Sequence, residues 1–110
     1  MSIDTEYMDV ENALKRVGGN VALYKKLLKL FLGENHIDEL CEAILSDSED
    51  AGQIAHTVKG VCANLSLVKL RAVAADIEQK CKGGEQCKES IPELRTTFDE
   101  TVAVIKEYIG

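Results

Sequence analysis

The chain has 110 residues, 45% of them apolar, with one proline, no tryptophan and a formal net charge of −6. That length and apolar content suit one domain with one ordinary core, and an acidic chain without a basic stripe argues against nucleic acid as a partner. No apolar run approaches the length of a membrane span, and no charged, apolar and small-residue leader opens the chain, so a cytoplasmic protein that does not engage membrane is expected.

Leu, Ala, Glu and Lys are abundant and β-branched runs are few, which favours helix over sheet. Met1 to Met8 are expected to form a flexible N-terminal tail. Asp9 can cap a short helix that stops at Gly18-Gly19, a pair suited to a left-handed helix end. Asn20 can cap the next. Tyr24, Leu27, Leu28, Phe31, Ile37, Leu40, Cys41, Ile44 and Leu45 then recur at helical spacing, which predicts one long helix from about Val21 to Leu45, bent near Gly33. Ser46 and Glu49 have capping-box spacing and open a helix that runs to about Leu65. Ser66 is placed as the cap of another, with Leu67, Leu70, Val73, Ala74 and Ile77 inward, ending before Gly83. Ser90, Glu93 and Pro92 start the last, which carries Leu94, Phe98, Val102, Ile105 and Ile109. The expected fold is all-α, an antiparallel up-down four-helix bundle with a short additional N-terminal helix as a lid, one domain over residues 1–110.

The third of these predicted helices carries the chemistry. Ala51, Ile54, Ala55, Val58, Val61, Cys62 and Leu65 form its core stripe. At about 100° per residue, His56 lies roughly 150° from the centre of that stripe and points to solvent. Gly60 follows one turn later and Ala63 the turn after, while Gly52 and Gln53 precede it by a turn. A glycine inside a helix costs about 1 kcal/mol relative to alanine, and the return expected at Gly60 is clearance for a partner at the imidazole. Lys59 flanks the site and adds positive charge. A lone surface histidine is usually only solvated, so His56 and Lys59 by themselves say little.

Other chemistries lack their residues. There is no glycine-rich nucleotide loop, Walker lysine or acidic metal cluster, so no autonomous kinase activity is expected. Four cysteines without a secretion signal are expected reduced. Cys41 and Cys62 fall on core stripes. Cys81 and Cys87 flank Gly83-Gly84 at a spacing that matches no zinc pattern, and neither a metal nor a structural disulfide is the default there. His36, in a polar stretch, reads as solvated, with nothing to pair it with His56 as a ligand.

The run Ala55-His56-Thr57-Val58-Lys59-Gly60 resembles the motif of the histidine phosphotransfer domain family: an alanine-histidine pair, a small residue, an aliphatic, then lysine and glycine. Val61 to Leu67 is similar to the family's continuation, and Leu70 to Glu78 to its next helix, ending in an aliphatic-acidic pair. Asp9 to Phe31 resembles the entry segment. One departure is Ser66, where the family usually has glycine. The resemblance implies that His56 is the phosphoacceptor through Nε2, and that Glu78 bonds the Nδ1 hydrogen and fixes the tautomer. Lys59 would support transfer. Gly52, Gln53, Gly60 and Ala63, with Asn64 and Gln79 at the rim, would form the docking surface. It further implies as partners response-regulator receiver domains and a sensor or hybrid histidine kinase, Mg2+ supplied by the receiver, and a monomeric phosphorelay intermediate with no bound cofactor. A phosphorylation-independent adaptor bundle is the main alternative; a metal or haem site on His56 lacks a second ligand.

Overall fold

A computed structural model describes residues 6–110, and these form six α-helices and one 3-10 turn with no strand among them. The helices are α1 (Val10–Arg16), α2 (Val21–Gly33), α3 (Ile37–Leu45), α4 (Ala51–Leu65), α5 (Val68–Lys82) and α6 (Ile91–Ile109), with the 3-10 turn at Lys88–Ser90. Asp9 and Asn20 cap α1 and α2 as expected, accepting from the N–H groups of Asn12 and Leu23.

The single helix expected over Val21–Leu45 is instead two. Glu34 is extended and His36 takes a left-handed conformation at φ 65°. Between them the Asn35 amide donates to the Phe31 carbonyl and accepts from the Ile37 N–H, so one side chain closes α2 and opens α3. The apolar periodicity runs through the break because Phe31 and Ile37 both face the core; Leu45, at the end of the stripe, is exposed.

The N-terminal segment also departs from expectation. Residues 1–5 of the expected tail lie outside the described residues, but Tyr7 and Met8 are buried. The Tyr7 hydroxyl donates to Glu100 at 2.8 Å, and its carbonyl accepts from the Val68 N–H at 2.9 Å, so the segment is fastened to α5 and α6.

Ser66 does not cap α5. It ends α4, with φ 55°, in a Schellman arrangement: its N–H bonds the Ala63 carbonyl and the Leu67 N–H bonds the Cys62 carbonyl. This left-handed position explains why glycine would suit it. The serine hydroxyl instead donates to Asn12 Oδ1 and accepts from Arg16, whose guanidinium also bonds the Ala63 carbonyl, tying α1 to the end of α4. The capping box expected of Ser46 and Glu49 does not form. Ser46 ends α3, and the Ser48 hydroxyl accepts from the Asp50 N–H just before α4. Ser90 occupies the cap position of α6 without a side-chain cap bond, and Pro92 lies in the first turn of that helix.

Burial of the apolar stripes holds these helices together, each large side chain contributing about 1.5–3 kcal/mol. Leu28, Leu40, Val58, Leu70, Ile77, Leu94 and Ile105 are fully or almost fully buried. Phe31 packs on Phe98 with ring centroids 6.3 Å apart, and Tyr24 on Tyr108 at 5.7 Å, joining α2 to α6. The Tyr24 hydroxyl donates to the Leu65 carbonyl at 2.7 Å, which satisfies one of the free carbonyls at the end of α4. The most extensive helix pairing is between α4 and α5. Gly52 faces Cys81 and Lys82 while His56 faces Glu78, so the two helices run antiparallel and present a shared edge.

Candidate functional site

The shared edge of α4 and α5 brings one imidazole, one carboxylate and two ammonium groups together. The core stripe of α4 turns Ala55, Val58 and Cys62 inward, and His56 is thereby left outward with 53% of its side chain exposed. Ile77 on α5 is buried against the same core. Glu78, the next residue, sits at the helix edge with only 7% of its side chain exposed.

A buried carboxylate must be paired, and this one is paired on both oxygens. Oε2 accepts from His56 Nδ1 at 2.7 Å and from Lys82 Nζ at 2.7 Å; Oε1 accepts from Lys59 Nζ at 2.5 Å. The bonds from Lys59 and Lys82 hold the Glu78 carboxyl down at about 2, aided by His56 and opposed by burial. Glu78 is therefore ionised at neutral pH and is an acceptor only. Facing it, Nδ1 of His56 carries its ring hydrogen as donor, which leaves the lone pair on Nε2 at the exposed side of the ring.

With His56 neutral, two lysines and one carboxylate give the cluster a net charge of +1. Positive charge around an exposed nucleophilic nitrogen suits an incoming anion. The geometry supports nucleophilic attack by Nε2 and holds no second histidine: His36 lies on another element and faces Glu39 at 3.9 Å. Among the described residues no group of three His, Cys, Asp or Glu side chains could hold a metal ion.

Most of the expected site residues do meet here, but their surroundings differ. A Cβ built on Gly60 would find nothing within 4 Å, so the surface one turn from His56 is open. Gln53, Asn64 and Gln79 are exposed and Ala63 is half-buried. Gly52 is the correction. It is buried, and a Cβ there would touch Cys81 Cβ at 3.5 Å and Lys82 Cγ at 3.6 Å, so its small size lets α4 approach α5 rather than clearing the surface beside His56. Lys59 is not a free flanking cation either, since Glu78 holds its head group.

Lys82 is the residue that sequence reasoning missed. The signal was present, because Glu78 and Lys82 are four apart on one helix with the acid on the N-terminal side, the favourable order for such a pair.

A family model described as Hpt domain matches residues 26–106, a span that includes all of α4 and α5 and the four residues of the cluster. Comparisons with curated proteins and with solved structures returned no match. The order of helices, the outward histidine and the family match agree, and the chain belongs to the Hpt domain family, the histidine phosphotransfer domains of two-component signalling.

Proposed function

We propose that this protein is a phosphorelay intermediate in which His56 receives a phosphoryl group from the aspartyl phosphate of a receiver domain, or from a histidine kinase, and passes it to the aspartate of another receiver. The observation that carries the proposal is the bond from His56 Nδ1 to a fully ionised Glu78, which presents the Nε2 lone pair outward beside a glycine with open space around it.

In the forward step the Nε2 lone pair attacks phosphorus, the bond from phosphorus to the donor aspartate breaks, and that carboxylate leaves with the electron pair. The ring becomes cationic as the N–P bond forms, and Glu78, held 2.7 Å from Nδ1, stabilises that charge. Lys59 and Lys82 keep Glu78 ionised and offset the negative charge of the phosphoryl oxygens. Magnesium held by the receiver's acidic residues supplies Lewis-acid charge from the partner's side. The return step reverses these movements toward the acceptor aspartate.

Docking is assigned to the exposed edge around His56, with Gly60 as the clearance and Gln53, Asn64 and Gln79 as polar rim contacts. A shallow groove lined by Leu27, Leu30, Val61 and Asn64 continues this face along α2 and α4, and the exposed Leu30 offers an apolar anchor of the sort found in transient interfaces. The supporting frame is read as an antiparallel four-helix bundle in which α2 and α3 together form one arm and α1 lies across an end. Support for this comes from the pairing of α4 with α5, α5 with α6, and α2 with both α4 and α6.

The test is incubation with a phosphorylated receiver and magnesium. The protein should acquire a phosphoryl group that is labile to acid and stable to base, and His56→Gln should not acquire it. Labelling that persists in the variant assigns the acceptor elsewhere and ends the proposal.

A further inference from the structure

Two thiols lie beside the site without any part in the relay chemistry. Cys81 ends the penultimate position of α5, and Cys87 precedes the 3-10 turn, with the Gly83-Gly84 reversal between them. Gly84 is left-handed at φ 74°, and the N–H groups of Gly84 and Glu85 bond the carbonyls of Cys81 and Lys80, so the chain doubles back tightly. That reversal brings Cys87 Sγ to 2.9 Å from Cys81 Sγ. Both thiols are free.

The pair is also reachable. Cys87 is buried and Cys81 partly so, and both line an open cleft of about 560 Å3 bounded by the α3–α4 loop and the α5–α6 loop. The other two cysteines, Cys41 and Cys62, are buried in the core and border no cleft with this pair. Cys81 is thus the only cysteine with partial exposure, and its nearest reactive neighbour is another thiol.

We infer that Cys81 and Cys87 form a modification site, a dithiol that is converted to an intramolecular disulfide by a low-molecular-weight disulfide of the glutathione class. One thiolate attacks a sulfur of the oxidant, an S–S bond of the oxidant breaks, and one reduced thiol leaves. The second protein thiolate then attacks the protein sulfur of the mixed disulfide and expels the second reduced thiol. The protein loses two electrons and two protons, and the oxidant gains both. Closing the bond joins the last turn of α5, which carries Lys82 and follows Glu78, to the loop in front of α6. Burial and the contact with Cys87 push the Cys81 thiol up to about 12, so the first exchange is slow and is followed over hours at mildly alkaline pH.

The experiment uses the full chain, folded, with oxidised glutathione as the probe, followed by alkylation in denaturant and intact-mass analysis. The expected product has lost the mass of two hydrogen atoms and alkylates at two cysteines rather than four, and dithiothreitol restores all four. Trypsin cuts after Lys80, Lys82 and Lys88, so the link appears as Cys81-Lys82 joined to Gly83–Lys88. Cys87→Ser should stop at a persistent glutathione adduct on Cys81, which shows that Cys87 is the resolving thiol. Four alkylated cysteines after prolonged incubation of the wild-type chain, a lasting mixed disulfide in that chain, or a link that includes Cys41 or Cys62 would overturn the assignment. The wild-type result decides the matter even if the serine variant fails to fold, and it does not depend on whether His56 carries phosphate.

Discussion

Replacing Glu78 with glutamine keeps the shape and a hydrogen-bond acceptor at the centre of the cluster but removes its charge. The carboxyl is held at about 2 in the folded chain, against an ordinary value of 4.5. At about 1.4 kcal/mol per pH unit, that difference is worth at most about 3 kcal/mol of folding free energy at neutral pH. The side chains of Lys59 and Lys82 are 33% and 61% exposed, so solvent screens both pairs and the share that survives is about 1–2 kcal/mol. The sign follows from the direction of the shift: a carboxyl depressed by folding contributes fully above its unfolded value and loses that contribution as pH falls from 4.5 toward 2. Urea unfolding followed by circular dichroism should therefore show Glu78→Gln less stable than the native chain by about 1–2 kcal/mol near pH 7, with the gap narrowing below about pH 4.5 and closing near pH 2. A gap that stays constant across this range, or one below about 0.3 kcal/mol at neutral pH, would refute the claim that the two lysines hold this carboxylate in its ionised form.

Three further substitutions test separate parts of the structure. Gly60→Gln should fold at least as well as the native chain, gaining roughly 0.5 kcal/mol from helix propensity, yet lose phosphotransfer because its side chain fills the open space beside His56; paired melting and transfer assays check this. Gly52→Leu should do the reverse of a surface change: it forces α4 off Cys81 and Lys82 and costs about 1–3 kcal/mol in a melt, whereas Gly52→Ala stays close to native stability. Ser66→Ala keeps the left-handed backbone and loses the bonds to Asn12 and Arg16, so it should cost about 1 kcal/mol. Ser66→Gly exchanges those bonds for relief at φ 55° and should stay within about 0.5 kcal/mol of the native chain by urea titration.

The residues that sequence placed correctly are those whose position depends on one helix. His56 is outward because its own helix turns Ala55 and Val58 inward, and that is arithmetic on a single period. Residues that depend on a second element were harder. Gly52 shares the lane of His56 on the helical wheel, but only the approach of α5 decides that one is covered and the other open. Glu78 was reached through family resemblance alone, and Lys82 not at all, because an acid and a base four apart are ordinary on any exposed helix. The break between α2 and α3 was hidden because Phe31 and Ile37 both serve the core, so the apolar pattern continues while the backbone does not. Ser66 was misread because serine favours helix starts, and its left-handed ending is set by the close return of Leu67 onto Cys62. Tyr7 and Met8 show the same limit: Tyr7 is held by Glu100 and Val68, distant partners that no local pattern announces, and Met8 is buried in the core beside it.

The most direct measurement is nitrogen-resolved NMR of the His56 imidazole, before and after incubation with a phosphorylated receiver and magnesium. The free protein should show the ring hydrogen on Nδ1, and the modified protein should show phosphorus bonded to Nε2 with the Nδ1 hydrogen still held by Glu78. Phosphorus on Nδ1, or a modified protein whose His56 signals have not moved, would contradict the account.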